Sequence, residues 1–186
     1  MYIGAFDIGG TKTIVALADE TGKIYEKQQY PTDTADCLRH LDSCCEIFLQ
    51  FMHKHQLQPN QILGIGVNLP GIVDRKQGIL LRAVYAGWHD VPVKNYLIKK
   101  IHVLNIVCEN DVNSCAVGEL RFGLGQKYKD FGCQSRKIPP APTNLKSSGY
   151  WGKISRPWFS LPALSLRLGH PRILNESDQL ARQHHR

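Results

Sequence analysis

The chain opens with apolar runs of strand length that are separated by turn residues. Residues 2–8 and 13–18 are mostly apolar and flank the pair Gly9-Gly10. A more polar run at residues 23–30 follows Asp19-Glu20-Thr21-Gly22, a composition typical of a tight turn. Short apolar runs bounded by such turns are typical of β-strands. We therefore predict a three-stranded meander at the N-terminus.

Helical spacing replaces this pattern over residues 34–55. The apolar side chains there recur every three or four residues, which predicts one amphipathic helix. They are Leu38, Leu41, Cys44, Cys45, Phe48, Leu49 and Met52. Beyond this helix the pattern predicts a buried strand at residues 62–69, a short helix at 92–101, a strand at 104–109 and a helix from 111 to 122. Strands and helices that alternate in this way predict an α/β fold.

The composition changes near Asp130-Phe131. The first 130 residues hold 14 Lys and Arg against 14 Asp and Glu, whereas residues 131–186 hold 9 against 2 and so carry the whole net charge of +7. Six of the ten prolines lie in this last segment, and no valine does. We predict an α/β lobe at residues 1–130. The basic, proline-rich tail at 131–186 is a disordered extension, a small irregular domain or an out-of-frame translation.

The length of the apolar runs and the spacing of the cysteines indicate the cellular compartment of the protein. No apolar run approaches the ~18–20 residues that a membrane-spanning helix needs, and the N-terminus lacks the basic region of a signal peptide. The six cysteines have irregular spacing and form no C-x-x-C pair, so we expect reduced thiols and not a disulfide or zinc framework. These features predict a cytoplasmic protein without a membrane segment.

The first motif whose residues suit ligand binding is Asp7-Ile8-Gly9-Gly10-Thr11-Lys12-Thr13. Gly9 and Gly10 permit positive φ angles and a close approach of the backbone to a ligand, and successive amides in such a turn can bind an anion. Thr11 and Lys12 can add a hydroxyl and a positive charge, while Asp7 can orient hydrated Mg²⁺. A plain hairpin turn is the alternative, but it needs neither the acid nor the Thr-Lys pair. We therefore predict a phosphate site.

Two further motifs follow predicted strands. Asn68 lies just before Pro70-Gly71 at the end of a strand, which indicates either a ligand-binding loop or a simple type II turn. Asn110 and Asp111 lie between the strand at 104–109 and the following helix. Either residue can cap that helix. Asp111 can also act as a general base toward a substrate hydroxyl, with Asn110 bonded to neighbouring sugar hydroxyls.

Taken in order, the segments DIGGTKT, GVNLPGIVD and ENDVNSCAVGELRFG resemble the ROK family of bacterial sugar kinases, repressors and related open reading frames. The resemblance covers residues 1 to about 130. It implies an actin-like, ribonuclease H-like ATPase lobe with a mixed sheet flanked by helices, and ATP-dependent phosphorylation of a hexose hydroxyl. It implies contacts with ATP phosphates and Mg²⁺ for Asp7, Gly9, Gly10, Thr11 and Lys12, a sugar pocket of Asn68, Pro70, Gly71 and Asn110, and Asp111 as catalytic base.

The tail departs from the pattern of that family. It contains no glycine-rich GTGIGGG-like run, and only Gly169-His170 echoes the family's Glu-Ile-Gly-His segment, so we do not expect the family's structural zinc. We therefore expect a truncated kinase that is weakly active or inactive. The alternatives are a non-catalytic or regulatory sugar-binding protein and, ranked last, a nucleic-acid binder acting through the basic tail. A lobe without its partner lobe also predicts exposed apolar surface and self-association.

Overall fold

The computed structural model describes residues 1–123, 132–133 and 173–174. The chain divides into two compact units, Met1–Asp111 and Val112–Arg186. In chain order, the elements of the first unit are β1 (Tyr2–Ile8), β2 (Lys12–Asp19), β3 (Ile24–Pro31), α1 (Cys37–Lys54), a 3₁₀ turn (Pro59–Gln61), β4 (Ile62–Leu69), β5 (Ile72–Asp74), β6 (Ile79–Ala83), β7 (Trp88–Val91), α2 (Val93–Ile101) and β8 (Ile106–Asn110).

A five-stranded mixed sheet with the order β3-β2-β1-β4-β8 forms the centre of the first unit. β1, β2 and β3 pair antiparallel, whereas β4 pairs parallel with both β1 and β8. The predicted meander and the mixed sheet flanked by helices are confirmed. The bounds predicted for β1 and β4 agree with the structure to the residue.

The hydrophobic core lies between this sheet and the helices α1 and α2, which pack against each other and against β2 and β8 respectively. Phe6 on β1 meets Phe48 on α1 edge to face, with ring centroids 5.4 Å apart. Alternate strand residues such as Val15 and Val67 point into the same layer and are almost fully buried. Burial of this apolar layer is the main source of the sheet's stability.

The predicted apolar stripe of α1 is wrong at two positions. Leu38 and Leu49 are 46% and 40% exposed, whereas His40, a polar residue outside the predicted stripe, is completely buried. The helix also begins at Cys37 and not at residue 34, because the Asp36 side chain accepts a hydrogen bond from the amide of Arg39 and caps the first turn.

A second, smaller sheet was not predicted from the sequence. It has the order β5-β6-β7, with antiparallel pairing throughout. The indole of Trp88 is buried and donates a hydrogen bond to the carbonyl oxygen of Thr34 at 3.1 Å. The small sheet is thereby attached to the segment that precedes α1.

The second unit is described at α3 (Asp111–Phe122), which begins on the last residue of the first unit, and at the antiparallel pair β9 (Gly132–Cys133) and β10 (Ile173–Leu174). The bounds of α3 are those predicted. The predictions for the basic tail, including Gly169-His170, otherwise lie outside the described residues.

Two predictions from composition concern the whole chain. In the part that the structure describes, no helix is long and apolar enough to cross a bilayer. The five cysteines of that part are free thiols, and four of them are buried. Burial raises the pKa of Cys44 to about 12, which keeps the thiol protonated and unreactive at neutral pH.

Close packing of β1 against α1 gives a direct test of the core. A Cβ on Gly4 would lie 2.8 Å from Cζ of Phe48, whose ring is fully buried and cannot move aside. Gly4→Ala is therefore expected to lower the free energy of unfolding by about 1–3 kcal/mol. Gly66→Ala in the same sheet is the control, since a Cβ there meets nothing within 4 Å.

Chemical denaturation of the two variants and the wild type measures both effects. The control should stay within about 0.5 kcal/mol of the wild type. Equal stabilities for the two variants would contradict the described contact between Gly4 and Phe48.

Candidate functional site

A row of polar residues crosses the sheet at the carboxyl ends of its three parallel strands. Asp7 on β1 is level with Asn68 on β4, and Asn68 is level with Glu109 on β8. Residues that are level on neighbouring strands point to the same face and lie about 5 Å apart. Asp7 and Asn68 were predicted site residues, whereas no role was predicted for Glu109.

The turn between β1 and β2 is closed by a hydrogen bond from the amide of Gly9 to the carbonyl oxygen of Lys12, at 3.0 Å. Neither Gly9 nor Gly10 uses the positive φ angles that glycine permits. Glycine is required at position 9 for space instead, since a Cβ there would lie 2.9 Å from the Lys12 carbonyl oxygen. Close approach, and not backbone handedness, explains this glycine.

The outer side of this turn is open to a ligand. Gly10, Thr11 and Lys12 are exposed. Within residues 1–123, the amide N–H groups of Gly10 and Thr11 donate to no backbone acceptor. Free amides beside a lysine suit an anion such as a phosphate group.

Asp7 lies beside this turn, half-buried at the end of β1. Burial raises the pKa of its carboxyl group, while a hydrogen bond from the Asn68 side chain and the charges of Lys12 and Lys27 act in the opposite direction. A partly desolvated carboxylate gains more from a nearby cation than one in water does. The residues present therefore suit a hydrated Mg²⁺ between Asp7 and bound phosphates.

The second predicted motif forms a turn that is joined to the third. Gly71 has a φ of +119°, and a Cβ there would lie 2.1 Å from the carbonyl oxygen of Arg82 on β6. The Asn110 amide group donates to the carbonyl oxygen of Gly71 at 2.9 Å. The same amide donates to the Asp111 carboxylate at 3.0 Å. Asn110 thus holds the Pro70-Gly71 turn and orients Asp111.

Tyr85, in the loop between β6 and β7, lies beside the turn after β1. A Cβ on Gly10 would lie 3.5 Å from the Tyr85 ring. Burial, followed by the charges of Cys37 and Asp111, raises the pKa of the Tyr85 phenol. Tyr85 therefore packs close to Gly10, and the charge of Asp111 acts on its phenol.

Sequence reasoning missed Tyr85 and Glu109. Glu109 makes an ion pair with Arg75 at 3.5 Å. A polar residue at the end of a buried parallel strand was a usable signal for Glu109. Tyr85 had no such signal, because its loop belongs to a sheet that the sequence pattern did not reveal.

Hydrogen bonds beneath the turn attach it to α1 through buried polar side chains. The Thr32 hydroxyl donates to the carbonyl oxygen of Gly9 at 2.8 Å, and its oxygen lies 2.9 Å from that of Thr13. Thr13 is fully buried and lies 2.8 Å from Nε2 of His40. The other ring nitrogen of His40 accepts from the amide of Asp33 at 3.2 Å.

Comparison with known proteins identifies the lineage. The sequence profile of the ROK family matches residues 3–134, well over half of the chain. The chain belongs to the ROK family. A ROK glucokinase from Streptomyces griseus, solved in complex with glucose and AMPPNP, is similar in structure, with a TM-score of 0.64 and 27% identity, covering 92% of this chain and 47% of that one. The actin-like fold of the sugar kinases is thereby confirmed.

The curated ROK relatives include kinases and repressors. The glucokinase of Halalkalibacterium halodurans is 29% identical over 130 residues, which are 69% of this chain and 39% of the relative. The xylose repressor of Caldicellulosiruptor bescii is 29% identical over 128 residues, 67% of this chain and 31% of the relative. The chain thus spans less than half the length of the curated relatives it matches. The roles of individual site residues stay predictions.

Buried His40 makes the stability of this ROK lobe depend on pH. Burial lowers the pKa of His40 below its usual 6.5, although the Asp33 charge acts in the opposite direction. The unfolded chain therefore takes up the proton first, and the free energy of unfolding falls as pH drops from about 6.5 toward the folded-state pKa. Above 6.5 both states are neutral at this residue, and the dependence vanishes.

Urea unfolding of the wild type and of His40→Gln at pH 8 and pH 5.5 measures this contribution. The wild type should lose more stability than the variant between the two values. His53→Gln, at an exposed position of α1, is the control and should follow the wild-type profile. Parallel profiles for the wild type and His40→Gln would contradict a buried neutral His40.

Proposed function

We propose that this lobe is part of a cytoplasmic ATP-dependent sugar kinase that transfers a phosphoryl group from ATP to a hexose hydroxyl. The observation that carries the proposal is the parallel register of β1, β4 and β8, which brings Asp7 before the open turn, Asn68 before the Pro70-Gly71 turn and Asn110 before Asp111 to one end of the sheet. The similarity to glucokinases, one of them solved with glucose and AMPPNP, supports the choice of a hexose and ATP.

Each predicted residue then has a physical role. When bound, Mg·ATP supplies the phosphoryl group to be transferred. The amides of Gly10 and Thr11, with the charge of Lys12, bind the phosphates, and Asp7 holds the hydrated Mg²⁺ through water. Gly9 permits the close turn that presents those amides.

In this proposal the sugar lies next to the Pro70-Gly71 turn. Asn68, Pro70, Gly71 and Asn110 line its pocket. Asp111 accepts the proton of the attacking hydroxyl as the oxygen–phosphorus bond forms and the bond to the leaving phosphate breaks. The hydrogen bond from Asn110 keeps the Asp111 carboxylate in a fixed orientation for that step.

We further propose that the chain binds these ligands weakly and turns over slowly or not at all. Phosphoryl transfer requires both substrates to be positioned and the developing charge to be surrounded. Residues 131–186 contain no glycine-rich GTGIGGG-like run to serve as a second phosphate motif. The family's structural zinc also stays unexpected here, because Gly169-His170 matches only part of the family's Glu-Ile-Gly-His segment.

A sugar-binding regulatory protein is the second candidate. The similarity to a xylose repressor is the observation that favours it. Such a protein would keep the sugar pocket at Asn110 and lose the response to nucleotide. Sugar binding that is unchanged by Mg·AMPPNP, without any phosphorylated product, would favour this candidate over a kinase.

Nucleotide binding at the turn is tested by titrating Mg·AMPPNP into the full chain and following backbone amide signals by NMR. Lys12→Met should weaken binding by about tenfold, since a charge-assisted hydrogen bond contributes roughly 1.5 kcal/mol. Lys99→Met removes an equal charge from an exposed position of α2 and is the matched control, with an expected change of under threefold. Equal losses in the two variants would indicate nonspecific electrostatics.

The role of Asp111 is tested by product formation in a glucose and Mg·ATP mixture over long incubation. Asp111→Asn should abolish the slow sugar-dependent release of ADP and leave AMPPNP affinity within about twofold, because the proton acceptor alone is lost. Asp90→Asn is the control, since Asp90 is exposed with a φ of +53°, where asparagine is well tolerated. Undiminished release by Asp111→Asn would contradict the proposed base.

Self-association stays a prediction, and nucleic-acid binding through the basic tail stays the last-ranked alternative. Several large apolar side chains are exposed on and near the small sheet, which supports self-association. They are Ile72, Leu81, Val84 and Tyr85. We expect sedimentation velocity to show a mass that rises with concentration, and a concentration-independent monomer would contradict this.

A further inference from the structure

The buried hydrogen bonds beneath the turn have only one consistent proton order. Nδ1 of His40 accepts from the backbone amide of Asp33, so this nitrogen carries no proton and Nε2 does. Nε2 then donates to the hydroxyl oxygen of Thr13. The Thr13 hydroxyl must in turn donate to Thr32, because the Thr32 proton is committed to the carbonyl oxygen of Gly9.

Every member of this network is shielded from solvent to some extent. His40 and Thr13 have no exposed surface, and Thr32 is half-buried. The imidazole of His40 lies between the rings of Tyr30 and Trp88, with centroid distances of 5.5 and 5.8 Å. Among the described residues, no buried side-chain nitrogen or oxygen lacks a hydrogen-bond partner. A fully satisfied buried network fixes one geometry, because any rearrangement leaves a polar group unpaired.

The network reaches the turn at two carbonyl groups. The Thr32 hydroxyl binds the carbonyl oxygen of Gly9, and the Thr32 amide donates to the carbonyl oxygen of Thr11 at 3.2 Å. A trans peptide is planar, with its carbonyl and N–H pointing in opposite directions. The Gly9 carbonyl shares a peptide group with the Gly10 amide, and the Thr11 carbonyl shares one with the Lys12 amide. Because Thr32 holds both carbonyls, the amides of Gly10 and Lys12 point away from Thr32.

We propose that His40 is a positioning residue for the phosphate-binding turn, acting through Thr13 and Thr32 to set the direction of the Gly10 and Lys12 amides. This inference rests on the proposed function, in which the amide of Gly10 and the side chain of Lys12 meet the phosphates of ATP. It adds an α1 residue, outside the three predicted motifs, to the nucleotide site. The hydrogen bond that closes the turn does not by itself hold the Gly9 carbonyl, because it uses the Gly9 amide.

The test removes the last link of the network in the full chain. Thr32→Val deletes the hydroxyl and keeps the side-chain shape, while Thr32→Ser keeps the hydroxyl. Thr32→Val should weaken Mg·AMPPNP binding by about threefold to tenfold, the range expected for one hydrogen bond, and Thr32→Ser should restore it. Tyr96→Phe removes a hydrogen bond of 2.7 Å to Asp42 on α1 and is the control for a purely structural loss. It should leave the affinity unchanged.

NMR provides readouts that do not depend on nucleotide. The ¹⁵N shifts of His40 should report a proton on Nε2 and none on Nδ1. The Gly10 and Lys12 amide signals should move in Thr32→Val but not in Tyr96→Phe. A proton on Nδ1, unmoved amides, or equal affinities for the wild type and Thr32→Val would each overturn the inference.

Failure of the proposed function can be told apart from failure of this inference. If the wild type binds no Mg·AMPPNP, the proposed nucleotide site is contradicted. The His40 tautomer and the Gly10 and Lys12 amide signals then decide whether the network still orients the turn. Moved amides with the expected tautomer support that orientation, and the opposite result overturns it.

Discussion

Parallel pairing of β1, β4 and β8 is the constraint on which the rest of this molecule depends. It brings the carboxyl ends of three strands that are far apart in sequence to one edge of the sheet, where Asp7, Asn68 and Glu109 are level. The register is maintained by the apolar layer on the opposite face, because a slip of one residue would turn Phe6 and Val67 away from that layer. The candidate site is therefore a consequence of core packing, and its polar residues occupy positions that the core does not need.

Local rigidity around that edge comes from hydrogen bonds to backbone carbonyl groups. Asn110 binds the carbonyl oxygen of Gly71, and Thr32 binds that of Gly9. In both cases a side chain from another segment holds a glycine-containing turn in place. The glycine has no Cβ, so the backbone of each turn can pack closely against its neighbours. The hydrogen bond from the side chain then holds that turn in one conformation. Such preorganisation is what the electrostatic stabilisation of a phosphoryl group requires.

Much of the fold could be predicted from the sequence, since strong local patterns agree with tertiary packing. The strands β1 and β4 and the helix α3 have apolar runs with clear stop signals, and their bounds were predicted to the residue. The small sheet could not be predicted, because its strands are three to five residues long and carry charged side chains. Their pairing depends on a turn at Gly71 and on packing around Trp88, neither of which leaves a periodic signal.

The candidate site was predictable to a similar degree. Asp7, Asn68 and Asp111 stand next to turn or helix-start signals, so motif reasoning could find them. His40 was missed because a histidine within an amphipathic helix is expected to lie on the polar, solvent-facing side. Its contact with Thr13 is set by the tertiary structure and leaves no signal in the local sequence. For Gly9 the sequence left open whether glycine is needed for positive φ or for close approach, and the structure favours close approach, to the carbonyl oxygen of Lys12.

The central claim is that the turn after β1 and the carboxylate of Asp111 face the two substrates of a phosphoryl transfer. A crystal structure of the chain with AMPPNP, Mg²⁺ and glucose measures this most directly. The account predicts terminal phosphates against the amides of Gly10 and Thr11, and a glucose hydroxyl about 2.6–3.2 Å from an Asp111 oxygen. Well-ordered ligands bound elsewhere, with both of these places empty, would contradict it.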